Sequence, residues 1–317
     1  MERRIDPAEG KAPVRRTTDF GKEVHMDSKT AWKTFIDFYK LKNPSDEQVF
    51  LYTESMKYII ETEKDPDVML SLGGHYYGRK RFDLALRYYE MAAAYDLEDA
   101  YQCLGYIWYY GRTGHVDYKK AYECFCRGYE KGDLTSSYKI ADMYKNGYYV
   151  EKDMAKYKEI IEDLYERVKD ETFLGAPVPD IFVRLATIRS DEGKKEEALE
   201  LYFKAKDYLR QQLARNAFFG SINVMKGIVK AIHELQGFDD TDFDCFDLLS
   251  VFDQPMKVIF RYKHKKYEVE SVQEEEGISV RFGKKWYRSC EDFLVKAEID
   301  GKRMIDINME LYGFEVA

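Results

Sequence analysis

The sequence predicts a mainly α chain, a right-handed α-solenoid of helix hairpins followed by a small α+β domain. Three observations predict it. A short glycine- and aromatic-rich motif recurs along the middle of the chain at about the length of one helix hairpin. Apolar residues keep a helical period from about residue 27 to 254 and change to two-residue alternation after Pro255. The composition, with 45% apolar and 34% charged residues and 27 tyrosines against 3 tryptophans in 317 residues, suits stacked amphipathic helices better than one deep core.

The first 26 residues mix Arg3, Arg4, Arg15 and Arg16 with acids, prolines and glycines and show no helical period, so 1–26 reads as a mobile tail. Helical spacing begins with Trp32, Phe35, Ile36 and Tyr39 and resumes in EQVFLYTESMKYIIETEK after Pro44. These two helices read as a cap or an atypical first hairpin, covering the apolar end of a stack.

From residue 68 the pattern repeats. LGGHYYG at 72–78 is echoed by LGYIWYYG at 104–111 and by IADMYKNG at 140–147, starting 32 and 36 residues apart. Each is followed by a second helix: DLALRYYEMAAAY, DYKKAYECFCRGYEKGD and KDMAKYKEIIEDLYERV. A fourth, degenerate unit follows LGAPVPD, as FVRLATIRSDEG and KKEEALELYFKAKDYL. One hairpin alone leaves an apolar stripe uncovered, whereas stacked hairpins share theirs, with Gly73, Gly105, Ala141 and Ala186 at the expected close crossings. Glycine inside a helix costs about 1 kcal/mol relative to alanine, so its recurrence there indicates packing.

The order LGxxYxxG, acidic loop, KAxxYxxxA resembles the Sel1-like repeat of the tetratricopeptide superfamily over about 68–217. The second unit fits best, including Lys120 and Ala121; the third departs with Ile140, Ala141 and Tyr157. The resemblance implies a curved helical stack that binds another protein or peptide along a groove and performs no catalysis, and it implies no particular partner.

Past the repeats, ARNAFFGSINVMKGIVKAIHELQGF predicts a further helix or pair closing near Gly237, and the acidic stretch 239–253 reads as a linker helix. The helical domain therefore spans 27–254. Within 255–317, KVIFRYK, KYEVESV, ISVRFG and KKWYR alternate as short strands. Ser289 with Asp292 marks the start of a short helix, and Asp300 with Gly301 marks a turn.

A net charge of −8 opposes a whole-chain attraction to nucleic acid or an anionic membrane. No apolar run approaches the roughly 20 residues of a membrane span, and the N-terminus lacks a secretory core, which together read as cytoplasmic. The five cysteines, Cys103, Cys124, Cys126, Cys245 and Cys290, are scattered without CxxC spacing. Cys124 and Cys126 beside His115 suggest a metal site only superficially, because two helical positions turn through about 200°. No nucleophile elbow, phosphate loop or metal-ligand spacing occurs, and His75 in LGGHYYG has no acid or cysteine at motif distance. The chain is thus expected to hold no metal or cofactor and to be no enzyme.

Two groups remain as binding candidates. Tyr76 with Tyr77, Tyr109 with Tyr110 and Tyr148 with Tyr149 recur where the first helix of each hairpin ends, which suits either a peptide-binding ridge or packing between repeats. RYKHKKY and RFGKKWYR supply Arg261, Lys265, Lys266, Lys284, Lys285, Trp286 and Arg288, a basic and aromatic set suited to nucleic acid or an acidic ligand. The same 255–317 segment holds 12 Lys plus Arg and 12 Asp plus Glu, so the lysines equally suit protection of strand edges.

Overall fold

The computed structural model describes residues 14–17, 23–41, 44–172, 177–237 and 243–317. The chain divides into two compact units, Met1–Glu151 and Lys152–Ala317. The division falls inside the third repeat, whose first helix belongs to one unit and whose second helix belongs to the other.

The first unit opens with a two-stranded antiparallel hairpin, β1 (Val14–Thr17) and β2 (Glu23–Met26), where the sequence suggests only a tail. Backbone pairing from Val14 with Met26 to Thr17 with Glu23 forms it, and Met26 anchors it by burial among α1–α3. Residues 1–13 and 18–22 of the expected tail lie outside the described residues. Seven helices follow: α1 (Ser28–Phe38), α2 (Asp46–Glu63), α3 (Pro66–Gly78), α4 (Phe82–Ala93), α5 (Glu98–Tyr109), α6 (Tyr118–Glu130) and α7 (Leu134–Asn146). Each packs on its neighbours in sequence.

Local chemistry sets the helix ends. Ser45 and Gln48 form a reciprocal capping box on α2, Asp65 caps α3 ahead of Pro66, and Asp117 and Asp133 cap α6 and α7. The first pair packs through aromatic rings, with Phe38 stacked 3.8 Å from Tyr52. The recurring glycines sit at the closest helix crossings. A methyl group on Gly73 would lie 2.5 Å from the Tyr89 ring, and in the α5–α6 hairpin one on Gly105 would overlap the Phe125 ring. Ala141 is fully buried in the equivalent position of α7.

The second unit contains α8 (Met154–Val168), α9 (Val178–Asp191), α10 (Lys195–Arg215) and α11 (Phe219–Gln236), the last closed by Gly237 at a φ of 83°. The degenerate fourth repeat is the α9–α10 hairpin, with Ala186 fully buried.

The acidic stretch departs from expectation. In place of a linker helix, its described part makes a turn and the four-residue α12 (Leu248–Val251). Phe243, Phe246, Leu248, Leu249 and Phe252 are all buried, and a free-standing linker would leave them in water. The acids between them are buried too, and their charges are met by α10: Lys206 Nζ lies 2.8 Å from Asp247 Oδ2 and 3.2 Å from Asp244 Oδ2.

Strand alternation then gives a five-stranded antiparallel sheet in the order β6-β5-β4-β3-β9, from β3 (Met256–Tyr262), β4 (Lys265–Glu274), β5 (Gly277–Phe282), β6 (Lys285–Tyr287) and β9 (Tyr312–Val316). Val258, Phe260 and Tyr262 point inward, and Lys257, Ile259 and Arg261 point away. Phe260 is enclosed by Tyr267, Phe282 and Phe314. The short helix α13 (Cys290–Lys296), capped by Ser289, lays Phe293 against Phe282 and Tyr287. Asp300 and Gly301, both with positive φ, turn between β7 (Glu298–Ile299) and β8 (Lys302–Arg303). A 3.0 Å bond from Lys226 to Glu291 joins α11 to α13, and Asn308 donates to the Arg210 carbonyl of α10. The sheet thus shares one compact unit with α8–α12.

Candidate functional site

In the first unit the tyrosine pairs lie at the ends of α3, α5 and α7, each in a different setting. Tyr76 stacks on Tyr88 of α4 at 5.7 Å. Tyr77 meets Phe82 edge-on at 5.1 Å, and its hydroxyl accepts a 3.1 Å bond from Arg112 Nε. Arg112 also lies over the Tyr110 ring at 4.8 Å, which links the end of α3 to the end of α5. Tyr109 packs between hairpins against Tyr118, Phe125 and Tyr148, and Tyr148 stacks on Tyr118 at 4.0 Å.

The second member of two pairs faces outward. Tyr110 is 43% exposed and Tyr149, at a positive φ of 65° and resting against Tyr122, is 55% exposed. An edge of tyrosines therefore runs from Tyr77, across Arg112, to Tyr110 and Tyr109 and on to Tyr148.

Two cations missing from the sequence reading hold this edge together. Lys139 of α7 is only 4% exposed, and its ammonium lies 4.8–5.5 Å from the rings of Tyr106, Tyr109, Tyr110 and Tyr138. It donates to the Tyr110 hydroxyl at 2.8 Å and to Asp142 at 3.4 Å. Ring quadrupoles and one carboxylate thus replace its hydration shell. Arg112 does the equivalent between α3 and α5. A lysine inside a helix and an arginine after a glycine carry no sequence mark of such roles.

In the second unit, register brings the β3–β4 and β5–β6 turns to one end of the sheet, so Lys265, Lys266, Lys284 and Lys285 are gathered there, exposed and without ion-pair partners among the described residues. The rest of the set is more mixed. Arg261 pairs with Glu315 at 3.1 Å, Lys257 with Glu268 at 2.6 Å and Arg281 with Glu270. Exposed Trp286 has Arg281 5.8 Å from its ring, and Arg288 is exposed beside α13. Of this set, the four lysines without an ion pair among the described residues are the ones gathered at the turn end.

No protein-family model matches the chain, and no curated protein matches it. Three solved structures similar to it are repeat proteins. One is a Sel1 repeat protein from Oxalobacter formigenes, 20% identical over 66% of this chain and 79% of that one, with a TM-score of 0.42. Another is c5321, a protective antigen present in uropathogenic Escherichia coli strains and displaying an SLR fold, at 16% identity over 65% of this chain and 48% of that one, TM-score 0.45. A third is YrrB, a TPR protein with an unusual peptide-binding site, at 15% identity over 58% and 93%, TM-score 0.36. Among the described residues no helix is long and apolar enough to cross a membrane.

His75, the polar residue inside the first motif, is half-buried between α2 and α3. Its Nδ1 accepts from Arg79 at 3.1 Å, which leaves Nε2–H to face the Thr53 hydroxyl at 3.2 Å. Burial first, and the Arg79 guanidinium second, push its pKa down to about 4. Unfolded histidine takes up its proton near 6.5. The contribution of neutral His75 to stability is therefore fully present above about pH 6.5 and lost as the pH falls towards 4. Thermal melts from pH 7 to 4 are expected to fall less steeply for His75→Gln than for the native chain; equal slopes would remove His75 from this role.

Proposed function

We propose that the chain is a protein-interaction scaffold that takes an extended segment of another protein along the tyrosine edge of its first unit, centred on Tyr110. The observation that supports this most is the fixed, outward presentation of Tyr110 and Tyr149 on an edge whose inner rings are clamped by Arg112 and Lys139. Aromatic side chains held before binding lose little rotamer freedom on contact, and tyrosine offers an apolar face with a polar tip.

The test uses the full chain and a Tyr110→Ala/Tyr149→Ala variant as baits in native extract, at low and high salt. A partner that resists salt with the native chain and binds about 10-fold or more weakly to the variant, at unchanged helicity, is expected. If every captured partner is retained by the variant, the edge is not the groove.

The lysine cluster at the sheet turns favours a second reading, an adaptor for nucleic acid or an acidic protein segment. Binding would then fall steeply with salt and depend on Lys265, Lys266, Lys284 and Lys285, with the tyrosine substitutions silent.

A further inference from the structure

Beyond the scaffold reading, the second unit assembles a constellation with chemistry of its own. His233, in the last turn of α11, lies between two residues of the buried acidic segment. Its Nε2 is 3.1 Å from Asp247 Oδ1 and its Nδ1 is 3.1 Å from Ser250 Oγ. An ionised Asp247 accepts the Nε2–H, so the lone pair on Nδ1 is left facing the serine hydroxyl.

Asp247 is fixed from its other oxygen, where Oδ2 accepts from Lys206 Nζ and from the Asp244 backbone N–H, both at 2.8 Å. Ser250 sits on the short α12 and, with His233, lines a surface cavity of about 440 Å³ whose other walls are Val251, Asp253, Gln254 and Met256. The backbone N–H groups of Asp253 and Gln254 have no acceptor among the described residues.

We propose that Ser250, His233 and Asp247 form a hydrolytic site for small carboxylic esters, Ser250 being the nucleophile, His233 the general base and Asp247 the positioning residue. The roles follow from hydrogen-bond order, since a serine is activated by a base that a carboxylate orients in turn. Ser250 Oγ bonds to the ester carbonyl carbon as its proton passes to His233 Nδ1. The carbon–oxygen bond to the alcohol then breaks, and the alcohol leaves with that proton. Water repeats the sequence: its oxygen bonds to the acyl carbon, its proton goes to Nδ1, and the acyl bond to Oγ breaks as Oγ regains a proton. The sum is ester plus water giving acid plus alcohol.

Asp253 and Gln254 line the same cavity, so their backbone N–H groups, without an acceptor among the described residues, are the candidate donors to the oxyanion. Val251 and Met256 provide an apolar wall for a short acyl chain, and the Asp253 carboxylate selects neutral or cationic esters over anionic ones.

The full chain treated with an alkyl fluorophosphonate tests the assignment without a known substrate. Ser250 Oγ would displace fluoride from phosphorus, and mass spectrometry of the peptides would find one adduct, on Ser250. The adduct should vanish in Ser250→Ala and form about 100-fold more slowly in His233→Gln, compared at a temperature at which circular dichroism shows both chains folded. With p-nitrophenyl acetate, Asp247→Asn should lower kcat with KM little changed, a split that loosened packing alone would not give. An unmodified native chain, an adduct on another residue, or His233→Gln reacting at the native rate would each overturn the proposal.

Discussion

Replacing Lys206 with alanine is expected to destabilise the second unit by about 3–5 kcal/mol, read as a lower midpoint in urea unfolding. Lys206 is buried on α10, and its ammonium is shared by Asp247 and Asp244, with Arg210 3.4 Å from the same Asp244 oxygen, Oδ2. Without it the two buried carboxylates keep Arg210, His233 and the backbone N–H groups of Asp244 and Phe246 but lose their shared cation, and an uncompensated buried charge is among the most costly single defects in a fold. Replacing all three groups with apolar residues of similar size, as in Lys206→Met/Asp244→Leu/Asp247→Leu, should cost far less, because both sides of the desolvation penalty disappear together. A Lys206→Ala variant within about 1 kcal/mol of the native chain would show that water reaches the cluster.

The pH dependence follows from the same geometry. Burial pushes the Lys206 pKa down, but the carboxylates of Asp244 and Asp247 outweigh it and hold the ammonium above the ordinary lysine value. A raised pKa means a contribution fully present below the unfolded value near 10.4 and lost as the pH rises through the folded one. The penalty for Lys206→Ala should therefore shrink above about pH 10.4. Burial likewise pushes Asp247 up, yet the His233 hydrogen bond and Lys206 together bring it below the usual carboxylate range, so its contribution is present above about 3.9 and lost as the pH falls through the lower folded value. A penalty that stayed constant into strong alkali would mean that Lys206 is not titrating against these acids.

Where a feature depends on residues close in sequence, it could be read from sequence. The α3–α4, α5–α6 and α9–α10 hairpins, the glycines at the crossings, the helix ending at Gly237, the Ser289 cap and the Asp300–Gly301 turn all rest on periods or spacings of a few residues. The acidic stretch reads as a linker helix in the sequence because its partner lies far away. Phe246 and Leu249 look alike in a linker helix and in a core, and only Lys206, about 40 positions earlier, reveals that Asp244 and Asp247 are buried. Lys139 and Arg112 escaped for the same reason, since a cation among tyrosine rings from other helices has no local period. His233, Asp247 and Ser250 match no motif, because a helix end and a turn bring them together without a strand-turn-helix elbow.

Packing between the helices of one repeat gives the other large effect. Phe125 of α6 is completely buried, and its ring lies against Gly105 of α5, Tyr106 and Tyr109. Phe125→Ala should cost about 3–5 kcal/mol, through lost apolar burial and the void left between α5 and α6. Gly105→Ala acts in the opposite sense at the same contact. The methyl improves helix propensity by about 1 kcal/mol, but it overlaps a ring that neighbouring tyrosines prevent from moving, so a net loss of about 1–3 kcal/mol is expected. The two changes should not add. In Gly105→Ala/Phe125→Ala the new methyl occupies part of the void and meets no ring, so the double variant should be more stable than the sum of the single losses by about 1 kcal/mol or more. A double-mutant cycle by urea unfolding measures this directly. Simple additivity would mean that Gly105 is set by something other than the Phe125 ring, and the parallel between Gly105 with Phe125 and Gly73 with Tyr89 would lose its physical basis.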